Sequence, residues 1–207
     1  MKFMVLVFTI KSLWAAEISQ SAAKTHHHIE DGSMALLDIC TYPDPVLRRI
    51  AEPVDKIDWE VRKLIDDMAE TMYEAPGIGL AANQVGRLLR LLVIDLQRPD
   101  CGHGLIVLVN PVIVATEGET TFEEGCLSVP DYYHKVRRFE QVTVRGFDQH
   151  AKPVEIEADG LLAIALQHEM DHLDGKLFVD RLGLVARDLF KRRWKKRLKE
   201  ALAEPAQ

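Results

Sequence analysis

Four side chains capable of metal or proton chemistry fall within five residues, His168-Glu169-Met170-Asp171-His172. On a helix, positions i and i+4 lie one turn apart on one face, so both imidazoles can reach a single ion. A glutamate beside the first histidine then stands near water activated by that ion. It can take a proton from the water and hand it to a leaving group. The preceding run, Leu161 to Leu166, is apolar all round. A helix of that kind is buried, and two histidines and a glutamate are costly in such a place without a shared partner. The alternative is a helix end with solvated polar residues, which the apolar lead-in disfavours.

Two histidines do not complete a hydrolytic site, which takes three protein ligands and leaves a position for water. In one peptidase pattern a third histidine follows downstream. Gly175 fits that pattern, but Phe178 occupies the histidine's place. The later acids Asp180, Asp188, Glu200 and Glu204 lie in no helix that reads as buried. Upstream, Cys126 offers a thiolate within Glu124-Gly125-Cys126-Leu127-Ser128, in a glycine-containing loop before Val129-Pro130. An isolated cysteine is more often a small core residue, and Cys40 and Cys101 are read that way. Cys126 differs because the histidine pair lacks a third ligand. The histidine–glutamate pattern by itself indicates only a metallohydrolase. A zinc peptidase cutting internal bonds, or a fold keeping a structural metal, are the competing readings.

The elements that must position these groups are legible in outline. Tyr42 to Pro45 form a turn, and Val46 to Ile50 can open a short helix. Asp58 caps a helix from Trp59 to about Glu74, whose apolar positions Val61, Leu64, Ile65, Met68 and Met72 recur at three- and four-residue steps. Strands are expected at Leu88–Leu96 and Leu105–Val109, the second broken by Asn110-Pro111. Further strands are expected at Val112–Ala115, Gln141–Phe147 and Val154–Ala158. Asp159 precedes the histidine-bearing helix, about Leu161–Leu173, and Gly175 ends it. A last helix runs from Asp188. This order implies an α+β fold with mainly antiparallel strands around a central buried helix that carries the His-Glu-x-x-His motif, followed by a C-terminal helix.

With 207 residues and a net charge of −6, the chain has the length and composition of one globular domain and no overall nucleic-acid footprint. Three widely spaced cysteines do not make a disulfide framework and suit a reduced, cytoplasmic protein. Residues 1–33 differ from the rest. A short apolar run at Phe3–Ile10, His26-His27-His28 and Gly32-Ser33-Met34 read as a leader with a purification tag and a cloning junction. The expected division is therefore a tag or leader at 1–33, outside the fold, and one catalytic domain at 34–207.

Three segments together resemble the peptide deformylase family. Gly77-Ile78-Gly79-Leu80-Ala81-Ala82-Asn83-Gln84 resembles its first motif, Glu124 to Ser128 its second, and Gln167 to Leu173 its third. The resemblance spans about Met34 to Leu198. It implies removal of the formyl group from the N-terminal formyl-methionine of newly made polypeptides. It implies that Cys126, His168 and His172 bind one divalent metal ion, iron(II) in the cell, with zinc, nickel or cobalt as alternatives. Glu169 would be the general base and then the acid. The side-chain amide of Gln84 and the backbone N–H of Leu127 would stabilise the oxyanion. Gly79 would let the substrate backbone approach, and Ile78, Leu127, Leu161 and Ile164 would form the apolar slot for methionine. Tyr133 would line the cleft near the second substrate residue.

The tail carries eight Lys or Arg residues and one acid, Asp188, between Arg187 and Lys199. Phe190, Trp194 and Leu198 line one stripe. The tail is either a surface helix docked by that stripe or a contact for ribosomal RNA, and relatives with such a tail support the second reading. Neither DNA nor a membrane is an expected partner.

Overall fold

The Asp58 carboxylate accepts from the backbone N–H groups of Glu60 and Val61 at 3.1 Å each. This is the expected cap, and it satisfies donors that a helix start leaves unpaired. Helix α1 then runs Trp59–Glu74, with Val61, Ile65, Met68 and Met72 buried. A computed structural model describes residues 35–97 and 104–203. The 1–33 segment and Cys101 lie outside the described residues.

Among the described residues seven strands follow: β1 Gly79–Ala81, β2 Leu91–Ile94, β3 Ile106–Glu117, β4 Thr120–Cys126, β5 Val129–Arg138, β6 Gln141–Phe147 and β7 Pro153–Asp159. They pair antiparallel throughout. One sheet has the order β1-β2-β3-β6-β7, and β4 with β5 forms a separate hairpin. Helix α2, Gly160–Leu173, follows β7.

The period-two alternation of the central strands divides the core. Leu91, Val93, Val107 and Val109 pack with α1 residues Ile65, Met68 and Met72. Leu92, Ile94 and Leu108 pack with α2 residues Leu162, Ala163, Leu166, Met170 and Leu173. Side chains on a strand point alternately to opposite faces, so one sheet seats a helix on each side. Every residue of α2 from Leu162 to Leu173 is buried, as its all-round apolar lead-in requires.

Several expectations need correction. Asn110-Pro111 does not break a strand, because β3 runs through it. Asn110 takes a positive φ of 53°, and the register shifts between Val109 and Val112. Its amide exchanges hydrogen bonds with the Val54 backbone at 2.8 and 2.9 Å, which ties the distorted strand to the segment before α1. The loop expected around Cys126 is the end of β4 and a two-residue turn, Leu127-Ser128, into β5. The short helix after Pro43 is a 3-10 turn, Pro45–Arg48. The strand expected at Leu88–Leu96 spans only Leu91–Ile94. Asp159 stands at the N-cap of α2 but makes no side-chain capping bond. Gly175 does end α2, at φ 68°. A Cβ there would stand 2.6 Å from the Arg48 carbonyl oxygen, so close chain passage as well as handedness requires glycine.

The chain divides into two compact units, of which one is Ser33–Gly183. Helix α3, Leu184–Ala203, belongs to the other and starts four residues before the expected Asp188. Along it the Phe190 and Trp194 rings lie 5.7 Å apart, and the Arg197 guanidinium lies 5.6 Å over the Trp194 ring. Among the described residues, no helix is long and apolar enough to cross a membrane.

Candidate metal centre and catalytic site

Cys126 comes from the end of β4, whereas His168 and His172 come from successive turns of α2. The donor atoms of these three residues lie within 4.8 Å of one another. Cys126 Sγ is 3.2 Å from His172 Nε2. Ligand atoms of a four-coordinate ion, with bonds of about 2.0–2.3 Å, stand roughly 3.5 Å apart, so this spacing suits one ion. The imidazoles face edge to plane, with centroids 5.1 Å apart.

His168 Nδ1 lies 2.8 Å from Glu124 Oε2. Burial pushes the Glu124 carboxyl up, but hydrogen bonds from Arg138 and His168 outweigh it and hold the group below the usual range. An ionised carboxylate only accepts, so Nδ1 carries a proton and Nε2 is the nitrogen left to face a metal ion. This arrangement orients a metal-ligating histidine. His168 is also pressed by the Phe178 ring, nearly parallel at 26° and 6.1 Å between centroids. The residue in the place of a downstream third ligand thus packs against the first.

A soft thiolate with two imidazoles is a donor set for a divalent transition metal. The fit is supported by charge as well as distance. Burial and then the neighbouring His168 push the His172 imidazole well below its ordinary value, which favours its neutral, ligating form. Burial lowers His168 too, but its contacts to Cys126 and Glu124 outweigh this and raise it well above the usual value. The second proton this favours sits on Nε2, and a cation among the three donors would displace it.

Glu169 is buried beside the triad, and its Oε2 has no hydrogen-bond partner among the described residues. Burial, the dominant cause, pushes its carboxyl up to about 7. Gly79 makes room for it, since a Cβ there would stand 2.5 Å from Glu169 Oε1. The close neighbour of Gly79 is thus this carboxylate.

Gln84 sits in a 3-10 turn, Ala82–Val85, directly after β1. Its Oε1 accepts from the Ala81 N–H at 2.8 Å. That fixes which end of the amide turns inward: Nε2 donates to Ser128 Oγ at 3.2 Å and points at Cys126 Sγ, 3.7 Å away. Leu127 is half-buried and opens the turn after Cys126. Of the other apolar candidates, Ile78 is exposed, Leu161 half-buried and Ile164 buried. Neither Leu161 nor Ile164 joins a core cluster, as expected for a face of α2 turned from the sheet. Tyr133 is exposed and its ring packs over Gly125. Asn83 is fully buried and donates to the Arg49 carbonyl at 2.9 Å.

Motif and spacing alone give no role to Glu124, Ser128, Arg138 or Asp171. Glu124 and Ser128 had a signal, being two residues either side of Cys126. Arg138 had none, since it ends a polar, basic run.

The profile of the family described as polypeptide deformylase matches residues 36–188. A peptide deformylase of Syntrophobacter fumaroxidans is 67% identical over 170 residues, covering 82% of this chain and all of that one. The crystal structure of a peptide deformylase from Legionella pneumophila superposes with a TM-score of 0.74 at 49% identity, over 83% of this chain and all of that one. That of a Synechococcus elongatus peptide deformylase in complex with actinonin gives 0.72 at 45%, over 77% and 88%.

Proposed function

The chain belongs to the polypeptide deformylase family of metal-dependent hydrolases, which remove the N-formyl group from newly made polypeptides and release formate, and from that premise we propose which of its residues perform the reaction. Cys126, His168 and His172 hold the metal ion. An ion bound there would polarise the formyl group and make water nucleophilic near neutral pH.

The observation that carries the assignment is the convergence of Cys126, His168 and His172 within 4.8 Å, with Glu169 buried against Gly79. Glu169 takes the proton from the attacking water and delivers it to the departing methionine nitrogen. The formyl C–N bond breaks, leaving formate and a free amine. Gln84 Nε2 and the Leu127 N–H hold the formyl oxygen as charge develops on it. One such donor contributes roughly 3 kcal/mol. The Gln84 amide is turned for this by its bond to Ala81. Ile78, Leu127, Leu161 and Ile164 border the slot for the methionine side chain, and Gly79 leaves the approach open. Tyr133 stands near the second substrate residue. Iron(II) is the proposed ion in the cell, with zinc, nickel and cobalt suited to the same donors. A cytoplasmic site of action follows from the substrate.

The test is formate release from a formyl-Met-Ala peptide. The parent protein should turn the peptide over. A strong chelator should abolish release, and iron(II), nickel or cobalt added back without oxygen should restore it. No release from the fully loaded protein would refute the reading.

Helix α3 is proposed to contact ribosomal RNA. Lys195, Lys196 and Lys199 are exposed on it, and binding through phosphates is salt-dependent. The triple Lys→Glu variant should lose ribosome co-sedimentation at low salt while keeping peptide turnover. Unchanged sedimentation would leave α3 without this role.

A further inference from the structure

Beneath the metal triad lies a buried ionic network that the reaction does not use. Arg138, at the end of β5, has a side chain with 0% exposure, and its partners Glu124 and Asp171 show 3% and 5%. Arg138 Nε and Nη2 donate to the two oxygens of Glu124 at 2.7 and 2.9 Å. Its Nη1 donates to Asp171 Oδ2 at 2.5 Å. Asp171 also accepts from Arg181 Nε and Nη2, at 2.5 Å each.

Such a network is poor evidence of stabilisation. Replacing buried ion pairs with apolar residues is often neutral or stabilising. What a planar guanidinium supplies is direction, because its donors leave in fixed orientations within one plane. Here they link three things. Glu124 stands on β4, two residues before Cys126, and its Oε2 also accepts from His168 Nδ1–H. Asp171 lies on α2 between the two histidines. Arg138 therefore ties the strand that carries the thiolate to the helix that carries both imidazoles. Through Glu124 it also fixes the plane of His168.

We infer that Arg138 is a positioning residue of the metal centre, setting the placement of Cys126 relative to His168 and His172. The inference rests on the metal reading proposed above. Loss of an outer partner of this kind weakens metal binding by roughly 10- to 100-fold. Lysine keeps the charge of Arg138 but has no fork, so it cannot hold both acids in register.

The experiment is cobalt(II) binding to the full chain, followed by thiolate-to-cobalt absorption under chelator competition. Arg138→Lys should bind cobalt at least ten-fold more weakly, with a changed absorption band and, at saturating cobalt, an unchanged KM for formyl-Met-Ala. Val142→Ala, a core change in β6, serves as a control for general destabilisation and should keep the parent affinity. If Arg138→Lys does not fold, Glu124→Gln carries the test, with the same expected weakening. Affinity within two-fold of the parent in the folded Arg138 or Glu124 variant, or an equal loss in Val142→Ala, overturns the inference. A parent protein without any thiolate-to-cobalt band would instead sink the metal assignment itself.

Discussion

Glu169→Ala should lower turnover of a formyl-Met-Ala peptide by roughly 10²- to 10⁴-fold, the range that a positioned general acid–base group contributes, while the protein still binds one metal ion. The carboxylate is not among the three clustered donors, so its removal takes away the proton carrier and leaves the ligands in place. Its surroundings suit that task. Burial has raised the carboxyl to about 7, and a nearby divalent cation would draw that value down. The group is thus held between a tendency to keep its proton and a tendency to lose it. The substitution is also sterically benign, since it vacates space beside Gly79 rather than filling it. Formate release and metal content should be measured on the same sample. Turnover within ten-fold of the parent would remove Glu169 from the reaction, and loss of metal would make it a ligand instead.

Cys126→Ala should give the opposite pattern, with metal and activity lost together. Metal binding through four protein ligands is worth about 10–16 kcal/mol in structural zinc sites, or roughly 3 kcal/mol per ligand. Losing the thiolate should therefore weaken binding by about 10²-fold or more. Two imidazoles one turn apart would remain, with His168 held by Glu124 and Phe178 as before. Metal analysis after anaerobic purification, beside the formate assay, separates the two variants. Metal and activity that both survive the change would strike Cys126 from the ligand set. The contrast between the variants matters more than either alone, because a general folding defect would not keep the metal in one and release it from the other.

The sequence revealed what was apolar and periodic. Helix α1, its cap and the burial of α2 follow from spacing alone, and so does the joint reach of His168 and His172. The hairpin was invisible for a physical reason. In β4 only Glu124 is buried, and β5 alternates mostly between exposed and half-buried positions, so neither strand shows an apolar face. Cys126 could be read as a ligand but not as a strand terminus. Asn110-Pro111 looked like a break because a register shift that carries a proline through a strand leaves no periodic trace. Arg138 was illegible because its partners lie 14 and 33 residues away. Nothing in a basic surface-like run signals complete burial. Gly79 was noticed as a glycine, but its neighbour was not, since contact with Glu169 exists only in three dimensions.

The donors also have a meaning for the unfolded chain. Cys126 and His172 are 46 residues apart in sequence and 3.2 Å apart in the fold. The intervening stretch contains β5, β6, β7 and most of α2. An ion held by both ends turns that stretch into a closed loop that a denatured chain could not relax while the ion stayed. By the chain-entropy relation for a cross-link, a loop of this length removes roughly 4 kcal/mol of disorder from the unfolded ensemble. The same atoms that serve chemistry thus act as a reversible covalent-like staple, and the melting temperature of this protein should report metal occupancy as directly as its turnover does.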